Sequence, residues 1–233
     1  MRLLLAFTTV AALIFGAVAS IEAGRAADNA EATGLAPKRL VIGLDISLSN
    51  PLIADRAFAS KVGARIASMV EDMSLASEVH VRTFGTYDAS QNAFYYDTVL
   101  SIRSRPERVA REIEKLIAAV PDLIAHGRFH PQKRTNILGF LDNVRESVGC
   151  GGMPTTIVLA SDGIEDSEYA DLDRRNDHLP SPKGKPFSRC ASFQILGVGQ
   201  GTHSPKKTER LRSEWERWSA QAGFANFSGL NDW

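Results

Sequence analysis

One carboxylate and two hydroxyls follow a buried-strand pattern near the start of the chain. Asp45, Ser47 and Ser49 occupy alternate positions directly after the apolar run 40–44. In parallel α/β sheets, ligands bind at the carboxyl ends of the strands, where this turn would lie. Hard oxygen donors of this kind suit Mg²⁺ or another hard divalent cation. The pattern predicts a cation site, with turn and helix-cap roles for the same residues as the simpler alternative.

Two further residues lie where such a site needs them. Thr135 precedes a helical pattern that starts near residue 136, and Asp162 follows the apolar run 156–160. Taken singly, Thr135 can cap its helix and Asp162 can form a turn beside Gly163. The five residues together, in this order, favour one shared site over separate local roles.

The rest of the chain alternates strand and helix patterns, which predicts a doubly wound α/β fold with a mostly parallel central sheet and helices on both faces. Strand patterns lie at 39–45, 79–84, 94–102, 154–161, 192–198 and 224–227. Amphipathic helical patterns lie at about 51–73, 106–120, 136–148 and 211–222. Segment 121–134 is predicted to be a loop. Segment 164–190 is charged and proline-rich, which predicts a long exposed excursion.

The N-terminal residues have the pattern of a secretory signal peptide, predicted at 1–19. Arg2 precedes an apolar stretch, and Ala17-Val18-Ala19 fits a cleavage site. The stretch is short for a membrane span, so we expect no span after cleavage, with an uncleaved anchor as the alternative. Residues 20–38 are predicted to be a flexible leader and 39–233 the folded domain. The protein is therefore expected to be exported, to the bacterial periplasm in preference to full secretion.

Two cysteines, Cys150 and Cys190, are expected to form a disulfide. An even cysteine count in an exported chain favours a bridge. Each cysteine precedes a predicted strand, so both sulfurs would lie at the same edge of a parallel sheet. Two buried free thiols are the alternative.

The composition describes a globular protein without a strong charge bias. The 233 residues are 44% hydrophobic, which is enough for a sizeable core. The 27 basic and 27 acidic residues balance, so the chain shows no sign of binding nucleic acid or an anionic membrane.

The cation motif, together with the closing segments 195–199 and 218–223, resembles the von Willebrand factor A domain family over roughly residues 39–229. The matching residues are those of that family's metal-ion-dependent adhesion site: Asp45, Ser47, Ser49, Thr135 and Asp162. The resemblance implies a sheet in the order 3-2-1-4-5-6 with strand 3 antiparallel. It also implies that the hydroxyls contact Mg²⁺, Mn²⁺ or Ca²⁺, that the aspartates often act through water, and that a carboxylate from a protein partner completes the coordination.

The function expected from this resemblance is cation-dependent protein binding, in adhesion or scaffolding, without catalysis. One alternative is a metal-dependent phosphoester hydrolase that uses Asp45 and Asp162 on one cation, but the sequence shows no general base or phosphate-binding glycine loop for it. Another is a structural domain of an envelope assembly that is indifferent to metal. Whether Glu165, Asp166 or Glu168 adds a ligand is left open by the sequence.

Overall fold

The computed structural model describes residues 36–86 and 94–233. In this part of the chain, six strands form one sheet in the order β3-β2-β1-β4-β5-β6. The strands are β1 Arg39–Asp45, β2 Glu78–Phe84, β3 Tyr95–Val99, β4 Thr155–Ala160, β5 Ser192–Leu196 and β6 Asn226–Leu230. Strand β3 is antiparallel to β2, and the other pairs are parallel. The predicted α/β fold and strand order are confirmed.

Helices cover both faces of this sheet. They are a 3₁₀-helix Pro51–Ile53, α1 Arg56–Glu71, α2 Pro106–Ala118, α3 Val120–Ala125, α4 Ile137–Ser147 and α5 Pro205–Ala222. Side chains alternate along a strand, so Leu40, Ile42 and Leu44 of β1 pack with α1 and α2, whereas Val41 packs with α4 and α5. Strand β1 is therefore buried on both faces, and Asp45 is its last residue, at the carboxyl ends of the central strands.

No helix within residues 36–86 and 94–233 is long and apolar enough to cross a membrane. The predicted signal peptide, most of the predicted leader and residues 87–93, between β2 and β3, lie outside the described residues.

The predicted start of one helix is wrong, and one short helix was predicted as loop, in both cases for local reasons. Helix α1 begins at Arg56 and not near residue 51, because Pro51 starts a separate 3₁₀ turn. The Asp55 carboxylate then caps α1 by accepting hydrogen bonds from two backbone N–H groups. The predicted loop 121–134 begins inside α3, a short helix with Pro121 in its first turn.

The prediction of an exposed excursion at 164–190 is also wrong. Its spaced apolar residues enter the core that contains α4 and α5: Ile164, Ala170, Leu172, Leu179 and Phe187. The Phe187 ring stacks on Phe224 at a centroid distance of 4.7 Å. The segment covers the sheet beside α4 and α5. Its many charged and proline residues make it look exposed in the sequence, because the buried apolar residues are widely spaced.

Cys150 and Cys190 form the predicted disulfide, with their Cα atoms 5.0 Å apart. Cys150 precedes β4 and Cys190 precedes β5, and Ala191 donates a backbone hydrogen bond of 2.9 Å to Thr155. The bridge therefore joins the starts of two adjacent parallel strands, at the edge of the sheet opposite Asp45.

We predict that replacing both cysteines by alanine lowers the free energy of unfolding by about 2–4 kcal/mol, because the bridge restricts the unfolded chain. Urea unfolding of the wild type and of the double variant measures this difference. Reductant should destabilise the wild type and leave the double variant unchanged. Equal unfolding midpoints for the two proteins would contradict the prediction.

Candidate metal centre

The five predicted ligands come from three segments at one edge of the sheet. Asp45 ends β1, and Ser47 and Ser49 follow in the next turn, while Asp162 comes just after the neighbouring strand β4. Thr135 lies in the loop that leads into α4. Four of these residues are at most 2% exposed, and Ser49 is exposed to solvent. The structure therefore brings these five residues together near the carboxyl ends of the central strands β1 and β4.

Backbone hydrogen bonds fix the loop of Thr135 between the other two segments. Gln132 exchanges two bonds of 2.8 Å with the residues on either side of Ser47. At the other end of the loop, Thr135 donates a bond of 3.2 Å to Asp166 and accepts one of 2.8 Å from it. Thr135 is thus tied to the serine turn and to the segment that follows Asp162.

Two glycines allow this loop and α4 to approach the sheet closely. A Cβ atom on Gly85 would lie 2.4 Å from the Gln132 side chain, and the backbone N–H of Asn136 donates to the Gly85 carbonyl at 2.7 Å. A Cβ atom on Gly43, within β1, would lie 2.9 Å from the Phe140 ring of α4. A larger residue at Gly85 would push the Thr135 loop away from the strand ends, and one at Gly43 would push α4 away from β1.

Both carboxylate oxygens of Asp45 accept hydrogen bonds. Oδ1 accepts from the Ser47 backbone N–H at 2.9 Å, and Oδ2 accepts from the Ser161 hydroxyl at 2.6 Å. Burial, followed by the negative charge of Asp162, raises the pKa of Asp45 to about 7, against the lowering effect of hydrogen bonds from Ser161 and Ser47. The carboxylate is held firmly but resists ionisation while no positive charge lies beside it.

Asp162 is held at only one of its oxygens. Oδ1 accepts from the Ile164 backbone N–H at 2.9 Å, while the buried Oδ2 has no hydrogen-bond partner in the part of the chain that the structure describes. Ser49 lies near enough to lower the pKa of Asp162, without a well-formed hydrogen bond to Oδ2. Burial nevertheless raises that pKa to about 6. An unpaired buried carboxylate oxygen is unfavourable, and a ligand would relieve the penalty.

The donors in this region fit a hard divalent cation. The Ser47 and Ser49 hydroxyl oxygens are 3.3 Å apart, and the unpaired oxygen of Asp162 and the Thr135 loop lie at the same sheet edge. Oxygen donors of this kind suit Mg²⁺, Mn²⁺ or Ca²⁺. Residues 36–86 and 94–233 contain no group of three His, Cys, Asp or Glu side chains arranged to hold a metal ion. A cation here would therefore depend on hydroxyl ligands as well as on carboxylates.

The cap roles considered for these residues belong to other side chains. Asn136 caps α4 by accepting a bond of 2.6 Å from the Gly139 N–H, so Thr135 is not its cap. Asn50 caps the 3₁₀-helix and Asp55 caps α1. The turn role does hold for both aspartates, since each accepts a backbone N–H from two residues later.

Asn50 and Ser161 belong to the site but were not singled out from the sequence. The buried Asn50 amide donates to the Asp45 carbonyl at 2.7 Å and to the Ala160 carbonyl at 3.0 Å, which joins the ends of β1 and β4. The sequence signal was limited to position, because Asn50 follows the serine motif and Ser161 precedes Asp162.

The acidic residues whose role the sequence left open have other partners. Glu165 is fully buried, and its carboxylate accepts from the first two N–H groups of α4 and from the Ser167 hydroxyl. Burial raises the pKa of Glu165 to about 8. Asp166 pairs with Arg134 at 3.2 Å, and Glu168 lies 3.4 Å from the amide of Asn136. Glu165 thus fixes the start of the helix that follows the Thr135 loop.

Comparisons with known proteins do not assign a family. No protein-family model matches the chain, and a search of curated proteins finds no match. Among solved structures, the chain is similar to a mutant of the PilB minor pilin from Streptococcus sanguinis, with 11% identity and a TM-score of 0.45 over 84% of this chain and 57% of that one. It is also similar to the pilus adhesin SpaC from Lactobacillus rhamnosus GG in an open conformation, with 11% identity and a TM-score of 0.43 over 85% of this chain and 28% of that one. The chain thus spans just over half of the pilin and under a third of the adhesin, and similarity at this level carries no argument about function.

We predict that, in chelator, the free energy of unfolding is higher at pH 5 than at pH 8. The pKa of Asp45 is about 7 in the folded protein and near 3.8 in the unfolded chain, so the folded state holds this proton more tightly. The resulting stability is complete below about pH 3.8 and is lost as the pH rises through about 7. Asp162 and Glu165 act in the same direction.

Urea unfolding at the two pH values, for the wild type and Asp45→Asn, isolates the contribution of Asp45. The variant should lose less stability between pH 5 and pH 8. Asp142→Asn, which removes an exposed carboxylate on α4, is the matched control and should behave as the wild type does. An undiminished loss in Asp45→Asn would contradict the prediction.

Proposed function

We propose that this protein is an exported binding module that engages a protein partner through a divalent cation. The observation that carries the proposal is the pair of buried carboxylates, Asp45 and Asp162, at the ends of adjacent strands. One oxygen of Asp162 accepts no hydrogen bond from any described residue. Two like charges in a buried site oppose each other, and a cation among the neighbouring hydroxyls would offset both. The sheet order, which the von Willebrand factor A resemblance also implies, supports the same assignment.

The five residues would hold the cation in two ways, through direct contact and through charge balance. The hydroxyls of Ser47, Ser49 and Thr135 contact it, and Asp45 and Asp162 balance its charge, directly or through water. Two hydrogen bonds fix the carboxylate of Asp45, whereas that of Asp162 keeps Oδ2 available. When bound, Mg²⁺, Mn²⁺ or Ca²⁺ supplies positive charge and a coordination position that a further oxygen ligand can fill.

The exposure of the site supports an acidic group on the partner. Ser49 and Leu48 are exposed, Leu48 by 61%, although the other four predicted ligands are buried. The site therefore reaches solvent at the serine turn, and a partner would approach from that side. Where Asp45 and Asp162 act through water, the directly bound ligands are neutral hydroxyls, and an incoming Asp or Glu carboxylate then gains a charge-assisted contact that a neutral side chain does not.

The disulfide supports export as part of the proposal. Bridges such as Cys150–Cys190 form and persist in oxidising compartments, among them the bacterial periplasm and the extracellular space. We place the protein in one of these two, with the periplasm favoured.

Phosphoester hydrolysis gains no support from the geometry. The Ser161 hydroxyl and the Asn50 amide donate hydrogen bonds to Asp45, and the nearby buried carboxylate of Glu165 is engaged in capping α4. A general base that could activate water is not evident among the described residues of the site. A purely structural role without metal is the remaining alternative, and metal titration separates it from the proposal.

We predict that millimolar Mg²⁺ or Mn²⁺ raises the melting temperature above that in chelator. A ligand that binds only the folded state, at a hundredfold excess over its Kd, stabilises by about 2.7 kcal/mol. Thermal unfolding of the wild type, Thr135→Ala and Asp142→Asn measures the effect. Thr135→Ala should lose most of the metal-induced shift, and the exposed control Asp142→Asn should retain it. The proposed site is wrong if melting of the wild type is the same with and without metal.

We also predict that the domain captures its partner from native envelope extract in Mg²⁺ and releases it in chelator. Asp45→Ala and Thr135→Ala should abolish capture, and thermal unfolding in chelator checks that each variant is folded. Acetate at high concentration should compete weakly, since it supplies a carboxylate. A partner that binds equally well in chelator, or to Asp45→Ala, would show that binding uses another surface.

A further inference from the structure

Ser161 links the two carboxylates of the site through one hydroxyl group. It is fully buried and lies between the end of β4 and Asp162. Its hydroxyl is 2.6 Å from Asp45 Oδ2 and 3.1 Å from the backbone nitrogen of Gly163. Ser161 thus connects the carboxylate at the end of β1 with the turn that carries the other carboxylate.

The direction of these hydrogen bonds follows from the groups involved. A serine hydroxyl has one proton to donate and two lone pairs that accept. The backbone N–H of Gly163 can only donate, so the hydroxyl accepts from it and gives its own proton to Asp45.

A backbone hydrogen bond also holds Ser161 itself in place, which restricts the position of its hydroxyl. Its N–H donates to the Leu196 carbonyl of β5 at 3.1 Å. On the other side of Asp45, Oδ1 is held by the Ser47 N–H. With one donor on each oxygen, the carboxylate plane of Asp45 cannot rotate without losing a hydrogen bond.

We propose that Ser161 is a positioning residue for the cation, because its hydroxyl orients Asp45 and couples it to the turn of Asp162. This inference rests on the proposed function. Ser161→Ala would leave Asp45 Oδ2 without its donor and the Gly163 N–H without its acceptor. Hydrogen-bond partners behind metal ligands typically contribute about 10–100-fold to metal affinity, so we expect a loss of that size.

The test is the affinity for Mn²⁺, measured by titration calorimetry on the wild type, Ser161→Ala, Ser161→Thr and Ser219→Ala. Ser219 is a matched control, since it is also buried and its hydroxyl donates to the Trp215 carbonyl within α5. Thermal unfolding in chelator establishes that each variant is folded at the temperature of the titration. Ser161→Ala should bind Mn²⁺ about 10–100-fold more weakly, and Ser219→Ala should bind as the wild type does.

Ser161→Thr keeps the hydroxyl and should retain most of the affinity for Mn²⁺. If Ser161 acted only through packing, the larger threonine would not restore that affinity. If the added methyl group prevents folding, the comparison between the two alanine variants decides. Wild-type affinity in Ser161→Ala overturns the inference and leaves the proposed function standing. An equal loss in Ser161→Ala and Ser219→Ala reflects general destabilisation and also overturns it. Absence of Mn²⁺ binding by the wild type overturns the proposed function and the inference together.

Discussion

Burial of Asp45 and Asp162 at the ends of neighbouring strands is the constraint on which the rest of the site depends. Removing a carboxylate from water disfavours its charged form, and a second carboxylate nearby adds to this penalty. The protein compensates Asp45 with two donors but leaves one oxygen of Asp162 without a donor among the residues described. The two buried negative charges are therefore unfavourable when nothing neutralises them. Protonation removes this cost at low pH, and a bound cation can offset it at neutral pH.

The surrounding structure holds this unfavourable pair in place through contacts that do not involve the aspartate side chains. Asn50 joins the ends of β1 and β4, and Glu165 anchors the start of α4. Gly43 and Gly85 allow α4 and its leading loop to lie close to the sheet. The disulfide joins the starts of β4 and β5, at the far side of the sheet from the site. At the site itself, hydrogen bonds and packing hold the strand ends in place.

The parts of this structure that the sequence predicted are those with local signals. Strand β1 and the acid and hydroxyls after it are contiguous, and the resemblance then supplied the strand order. Ser161 could not be predicted, because its partner Asp45 lies 116 positions away in the sequence. The burial of segment 164–190 was missed for a related reason, since Leu172 and Phe187 find their partners in distant helices while charged neighbours dominate the local pattern. The metal itself stays a prediction.

We propose that the buried pair of Asp45 and Asp162 holds a cation. The most direct measurement is a crystal structure grown with Mn²⁺, with anomalous diffraction used to locate the metal. We expect one strong peak at the strand ends, coordinated by the hydroxyls of Ser47, Ser49 and Thr135, with a carboxylate or water in the open position. Density without such a peak at saturating Mn²⁺, or a peak bound to other residues, would contradict the proposal.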